Sequence, residues 1–272
     1  MPISTPLTTS IGRDSCHRTS PNIMSQQTVA IIQARMGSTR LPGKVMLPLA
    51  GDHVITHDVQ RVEAAESIDE VVVATSNRTA DDIVARYASR SGASVFRGSE
   101  SNVLERIYDA ARTANADVIV RITGDCPLID PETIDAVIHP VTAGNAEYAA
   151  NFFKRTFPRG LDVEAFTFES FKRVYEEATE PHHREHVTPY YREGQEAFRT
   201  KSITSRDVFN EPEFRNRGDL RLTLDEADDY EVLRTIYENV PFDEILPIRR
   251  AIRYVDDNDL MELNRDIEQK TH

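Results

Sequence analysis

The sequence predicts an α/β protein with a mostly parallel central sheet and helices on both faces. Two observations carry this. Three short apolar runs bounded by turn residues, TVAIIQA (28–34), IDEVVVAT (68–75) and ADVIVRIT (116–123), read as buried strands. Segments with helical spacing of about 10–15 residues separate such runs, which is the pattern of βαβ units. No internal repeat or Gly/Ser linker interrupts residues 28–272, so a single domain is expected.

The elements follow in order. After the first strand, residues 53–65 place Val54, Ile55, Val59 and Val62 at helical spacing. TADDIVARYASRSG (79–92) reads as a helix with Thr79 as N-cap, acidic residues in its first turn and Gly92 closing it. SVFRG (94–98) is a short strand, and SNVLERIYDAARTA (101–114) an amphipathic helix. PETIDAVI (131–138) opens with Pro at a helix start, where Asp130 suits the N-cap. The second half is less regular. EYAAN (147–151), DVEAFTF (162–168) and LRLTLD (220–225) read as strands. FESFKRVYEEA and EADDYEVLRTIYENV read as helices, and Pro189 interrupts a helical start at HHREHVTPYYRE.

Composition narrows the function. A net charge of −13 argues against nucleic acid as the main partner, because phosphate backbones need basic surface. No apolar run approaches the ~20 residues of a membrane span. Residues 1–27 are rich in Ser, Thr and Pro without the apolar core of a secretory signal, and are expected to be a disordered tail, with Met24 an alternative start. Cys16 and Cys126 are the only cysteines, which fits a reducing cytoplasm better than a disulfide framework.

Parallel sheets bind ligands at the carboxyl ends of their strands. QARMGSTRLPGK leaves the first strand there, with Arg35, Arg40 and Lys44 as three cations within ten residues. Gly37 permits close backbone approach, and Ser38 and Thr39 offer donors. This chemistry suits a triphosphate; a solvated basic turn is the plainer alternative. The stretch is not a P-loop, since five residues separate Gly37 from Gly43 and Val45 follows Lys44. In RITGDCPLID, Asp125 follows a buried strand and is placed to hold Mg²⁺ together with substrate phosphates, or else to cap the next helix. Asp225 ends LRLTLD and is the candidate second metal carboxylate, while Asp228 and Asp229 suit the first turn of the following helix. Arg155 and Arg159 in KRTFPRG suit carboxylate recognition or form a surface hairpin. His182, Glu185 and His186 match the H-x-x-E-H spacing of one zinc-protease class, but no downstream third ligand stands out. Glu185 and His186 are better read as a polar wall of a substrate pocket.

IIQARMGSTRLPGKVMLPLAG, VVVATSNRTADD, VFRGSESNVLERIYDAA, VIVRITGDCPLIDPETID, RTFPRGLDVEAF, REHVTPYYRE and LRLTLDEADDYE recur in this order, and together they resemble the cytidylyltransferase family. The resemblance is to the group of spore coat polysaccharide biosynthesis protein F, which is similar to acylneuraminate and KDO cytidylyltransferases. It implies a Rossmann-like nucleotide-diphospho-sugar transferase fold. It also implies a small substrate or dimerisation insertion around residues 147–205, and a homodimer. CTP and a sugar acid would give a CMP-sugar and pyrophosphate with Mg²⁺. Onto matching positions, Arg35, Gly37, Ser38, Arg40 and Lys44 would hold the triphosphate, and Ala34 would sit beside the cytosine. Thr75, Ser76, Ser99, Asn102 and Arg106 would line the base and ribose region, and Asp125 and Asp225 would hold the metal. Two positions depart from the better-known enzymes. Thr39 replaces a basic residue, and Cys126 stands where KDO enzymes carry an acidic residue soon after the Gly-Asp pair. A glycosyltransferase on the same fold and a non-catalytic nucleotide-binding module are the alternative functions.

Overall fold

A computed structural model describes residues 26–193 and 197–267. Cys16, Met24 and all of the expected tail except Gln26 and Gln27 lie outside the described residues. A seven-stranded sheet forms the centre, in the order β5 (Ser94–Gly98), β4 (Glu70–Ser76), β1 (Thr28–Gln33), β6 (Val118–Thr123), β8 (Glu164–Thr167), β7 (Tyr148–Ala150), β9 (Thr200–Ser202). β8 alone runs against its neighbours β6 and β7; the other pairings are parallel. A two-stranded hairpin, β2 (Pro48–Leu49) with β3 (Asp52–His53), stands apart from it.

The apolar runs of β1, β4 and β6 are continuous because both sheet faces are covered. Ala30, Ile32, Val71, Val73, Val120 and Ile122 pack against α1 (Val54–Glu63), α2 (Asp82–Arg90) and α4 (Pro131–Thr142). Val29, Ile31, Val72, Ala74 and Ile119 face the other way, onto α3 (Val103–Thr113), α5 (Phe168–Glu177) and Tyr191. Two short helices, α6 (Pro181–His186) and α7 (Pro189–Glu193), adjoin this second layer, and α8 (Ser205–Val208) follows β9. At α3 and α4 the N-caps are side chains placed by sequence. Asp130 accepts from Thr133 N at the start of α4 (3.0 Å), as the sequence predicts, and Asn102 accepts from Glu105 N at the start of α3 (3.1 Å).

A third core was not legible. α9 (Ala227–Asn239) and α10 (Ile248–Asp257) pack Val232, Leu233, Ile236, Ile252 and Val255 against Leu49, Phe157, Phe209 and Phe214. Leu220, Leu222 and Leu224 fill the same core, which corrects the expected strand at 220–225. The alternation is real, but it records burial rather than a sheet ladder. This segment bonds to a single residue on one side, Arg159 (Arg159 N to Leu220 O 2.9 Å, Leu222 N to Arg159 O 2.8 Å), and then to Asp125 O from Leu224 N (2.8 Å). Gly160 makes that approach possible. Its φ is 97°, and a Cβ there would lie 2.5 Å from Leu222 O.

The expected helix at 79–92 also begins differently. Thr79–Asp81 is a short 3-10 turn, and α2 starts at Asp82. Thr79 is not the cap, and Asp81 instead accepts from Met36 N (2.7 Å) and from the Ser76 hydroxyl. An acidic residue expected in the first turn of a helix thus fastens the loop after β1.

Arg61 joins the third core to the sheet. It is buried, and it donates from Nε to Ile129 O (2.5 Å) and from Nη1 to Leu246 O (2.6 Å). Arg61→Met fills similar volume but leaves two buried carbonyls unpaired. Urea unfolding should show a loss of about 3 kcal/mol or more, since each hydrogen bond to a buried charged group contributes about 1.5–3 kcal/mol. A loss below about 1 kcal/mol would show that Arg61 is not the tie.

Candidate active site

β1 and β6 are parallel neighbours, so the loops leaving them emerge at the same sheet edge. Gly124 lets the two strand ends close up, because a Cβ there would lie 2.8 Å from Ala34 Cβ and 3.1 Å from Gln33 O. The loop after β1 folds on itself through Gly43 N to Met36 O (2.9 Å) and Leu41 N to the Ser38 hydroxyl (3.3 Å). Gly43, at φ 73°, turns the chain into a 3-10 turn over Lys44–Met46 and sends the Lys44 side chain towards Asp125.

Lys44 Nζ lies 2.6 Å from Asp125 Oδ2 and 2.9 Å from Asp225 Oδ1. Residues 81 and 181 positions apart in the chain meet at one ammonium. Arg40 Nη2 reaches Asp225 Oδ1 at 2.9 Å, and Arg221 Nη2 reaches Asp225 Oδ2 at 3.0 Å. Behind them Asp229, fully buried, accepts from Arg221 Nε (2.7 Å), from the backbone N–H of Asp225 (3.0 Å) and Glu226 (3.1 Å), and from Asn264 (3.0 Å). Asp229 therefore does more than sit in the first turn of α9: it fixes the direction of Asp225.

The electrostatics follow from this crowding. Burial works to lower the Lys44 pKa, but the charges of Asp125 and Asp225 outweigh it, and the pKa is raised. Burial works to raise that of Asp225, and Lys44, Arg40 and Arg221 together bring it down. Asp58 behaves oppositely. It is fully buried on α1, and neither carboxyl oxygen has a full hydrogen bond among the described residues. Burial, then the negative charge of Asp125, push its pKa well up, against the weaker pull of Arg61, Lys44 and the Cys126 N–H.

A carboxyl whose folded pKa lies above its unfolded value binds its proton more tightly in the folded state, so stability falls as pH rises between the two values. Asp58→Asn removes that dependence. Its melting temperature should exceed the wild type's at neutral pH, with the gap closing as the pH is lowered towards the ordinary carboxylate range. A gap independent of pH would mean that Asp58 is not held neutral.

A cavity of about 560 Å³ opens beside the carboxylates. Arg155, Arg159, Glu185 and His186 all line it, together with Asp125 and Asp225. Arg155 is already paired with Asp162 through both terminal guanidinium nitrogens. Arg121, in the same wall, is paired with Glu164, which also accepts from Tyr148 OH (2.5 Å). Arg159 closes no ion pair among the described residues; burial first, then Arg155 and Arg221, lower its pKa. His182 and His186 do not form the metal pair that H-x-x-E-H would require: His186 lines the cavity, while His182 bonds to Glu193.

The remaining predicted residues surround a neighbouring part of the edge. Arg35 reaches the Glu100 carbonyl at 3.4 Å. Thr75 and Ser76 are buried at the end of β4; Thr75 Oγ1 has no hydrogen-bond partner among the described residues, and Ser76 donates to Asp81. Ser99 Oγ accepts from Asn102 N (3.1 Å), and Arg106 donates to the Ser99 and Glu100 carbonyls. Burial, aided by Arg35, takes the Arg106 pKa down to about 10. Ser76, Ser99, Asn102 and Arg106 thus spend polar groups on shaping the wall. Asp58, Asp81, Arg121, Arg221 and Asp229 were missed by sequence reasoning. For Arg221 a signal existed: burial of Leu220, Leu222 and Leu224 puts Arg221, Thr223 and Asp225 on the other face.

Residues 29–248 match the sequence profile of the cytidylyltransferases. The chain belongs to the cytidylyltransferase family. It is 35% identical over 212 residues to the spore coat polysaccharide biosynthesis protein SpsF of Bacillus subtilis, covering 76% of this chain and 85% of that one. A solved cytidylyltransferase from Leptospira borgpetersenii superposes with a TM-score of 0.80 at 33% identity, covering 90% of this chain and all of that one. A CMP:2-keto-3-deoxy-manno-octonic acid synthetase complexed with CTP shares the fold at 18% identity, with a TM-score of 0.58 over 78% of this chain and 98% of that one. This cytidylyltransferase is thus a nucleotidyltransferase with the expected fold. Among its described residues, no helix is long and apolar enough to cross a membrane.

Proposed function

We propose that the enzyme transfers CMP from CTP to a sugar acid or related sugar, releasing pyrophosphate, as a step towards a surface polysaccharide or glycan. One observation carries this reading. Two carboxylates on separate parts of the fold converge on a single cation position beside a cavity that also holds arginines. The all-oxygen donor set of Asp125 and Asp225 fits Mg²⁺, and Lys44 Nζ marks where a cation is already accepted. Bound there, Mg²⁺ would supply charge neutralisation to the phosphates.

The chain's own residues account for the rest. Lys44, Arg40 and Arg35 neutralise the triphosphate, and Arg159 receives an anionic group of the acceptor. The acceptor hydroxyl forms its bond to the α-phosphorus as the bond to the α,β-bridging oxygen breaks; pyrophosphate leaves and the hydroxyl proton passes to water. Positioning and fixed charge do most of the work, as in other phosphoryl transfers. The family resemblance also supports a cytoplasmic homodimer joined through residues around 147–205.

The test is pyrophosphate release with each of the four nucleoside triphosphates against a set of sugar acids and neutral sugars. Release with CTP and a sugar acid is the expected result. Sugar transfer from a nucleotide sugar without any pyrophosphate release would replace this function with glycosyl transfer. Tight CTP binding with no turnover against any acceptor would leave a nucleotide-binding module.

A further inference from the structure

α6 and α7 meet at a tight turn in which Val187 takes φ 74° and ψ −55°, a conformation that β-branched residues seldom adopt. Across this turn, His182 Nε2 lies 2.9 Å from Glu193 Oε1, and His183 Nε2 lies 2.7 Å from Glu193 Oε2. The two imidazoles are consecutive in the chain, with ring centroids 4.0 Å apart, yet both present the same nitrogen to one carboxylate. Three potential ligand atoms thus lie within 4.8 Å of one another. His183 is buried, with its ring held edge-on by Tyr190 at 5.3 Å, and Tyr190 is itself anchored to Glu177 (2.8 Å). This half of the cluster is preorganised. His182 and Glu193 are about half exposed, so an ion from solution can reach it.

We propose that His182, His183 and Glu193 form a zinc site that staples α6 to α7. Two imidazole nitrogens and one carboxylate oxygen are a zinc donor set, and a poor one for Mg²⁺, which prefers oxygen alone. Bonds of about 2.0–2.1 Å in a tetrahedral site set neighbouring donors roughly 3.3 Å apart, so the imidazole–carboxylate separations of 2.9 and 2.7 Å each have to open by about half an ångström. Water takes the fourth position. The staple sits next to the acceptor cavity, because the same turn carries Glu185, His186 and Thr188, all of which line it. Zinc here fixes the position of that wall and takes no part in bond making. The site is independent of the acceptor's identity and of the Asp125–Asp225 pair.

Tag-free protein, stripped with chelator, is titrated with Zn²⁺ by calorimetry and with Co²⁺ by visible absorbance. The wild type and Asp125→Asn should both bind one equivalent and melt at a higher temperature with Zn²⁺. His182→Ala and Glu193→Gln, both at exposed positions where folding is not at stake, should bind at least about tenfold more weakly and lose the thermal shift. The proposal is overturned if the wild type takes up no Zn²⁺, if either of these variants binds it as tightly as the wild type, or if Asp125→Asn abolishes the uptake.

Discussion

Asp125→Asn is expected to lower pyrophosphate release at saturating CTP by about a hundredfold or more, equivalent to roughly 2.7 kcal/mol of lost transition-state stabilisation. The amide keeps the shape and removes the charge. Asp125 sits at the carboxyl end of the central sheet, held there by Gly124 and contacted by Lys44 at 2.6 Å. In the proposed reaction its charge would be one of two that hold a cation beside the phosphates. The fold should tolerate the change, because Lys44 retains Asp225 at 2.9 Å and the buried Asp58 no longer faces the negative charge that helps to push its pKa up. The melting temperature and the rate should therefore separate: the first nearly unchanged, the second collapsed. Unchanged turnover would remove Asp125 from the reaction.

Lys44→Met is expected to weaken CTP binding at least about tenfold while changing CMP binding far less, since an ammonium facing a triphosphate contributes mainly through charge. The variant has a second consequence. In the structure the ammonium occupies the position between the two carboxylates, so a divalent ion arriving alone must displace it. With methionine there Asp125 loses its ammonium partner and Asp225 keeps only Arg40 and Arg221, so Mn²⁺ without nucleotide should bind more tightly than to the wild type. Paramagnetic resonance of free Mn²⁺ measures this directly. Equal losses for CTP and CMP, with Mn²⁺ affinity unchanged, would show that Lys44 serves only to hold the loop.

What the sequence made legible is what leaves a local signature. β1, β4 and β6 carry near-continuous apolar runs because both sheet faces are covered, and Asp130 is followed by Pro131 at a helix start. Asp125 could be picked out because it follows a buried apolar run, and Asp225 because it ends an apolar alternation. Their meeting could not be read, because it depends on a contact between segments far apart in the chain. Asp58 was hidden for a different reason. It lies on a helix face whose other members, Val54, Ile55, Val59 and Val62, are apolar, so periodicity alone counts its position as core without naming the cost of its charge. Leu220–Leu224 shows the converse error, where correct burial was taken for a strand. α10 was passed over, although it completes the core under Asp225.

Asp125 belongs to the central sheet, whereas Asp225 rides on the third core of α9 and α10, and Arg61 and the Lys44 bridge span the two. Any ligand that engages both carboxylates is therefore a strut across a joint. Linkage then requires that such a ligand protect the joint from opening, by about 2.7 kcal/mol when its concentration is a hundred times its dissociation constant. The enzyme at work, filled with substrate, should accordingly resist proteolysis at the α9–α10 side better than the enzyme at rest.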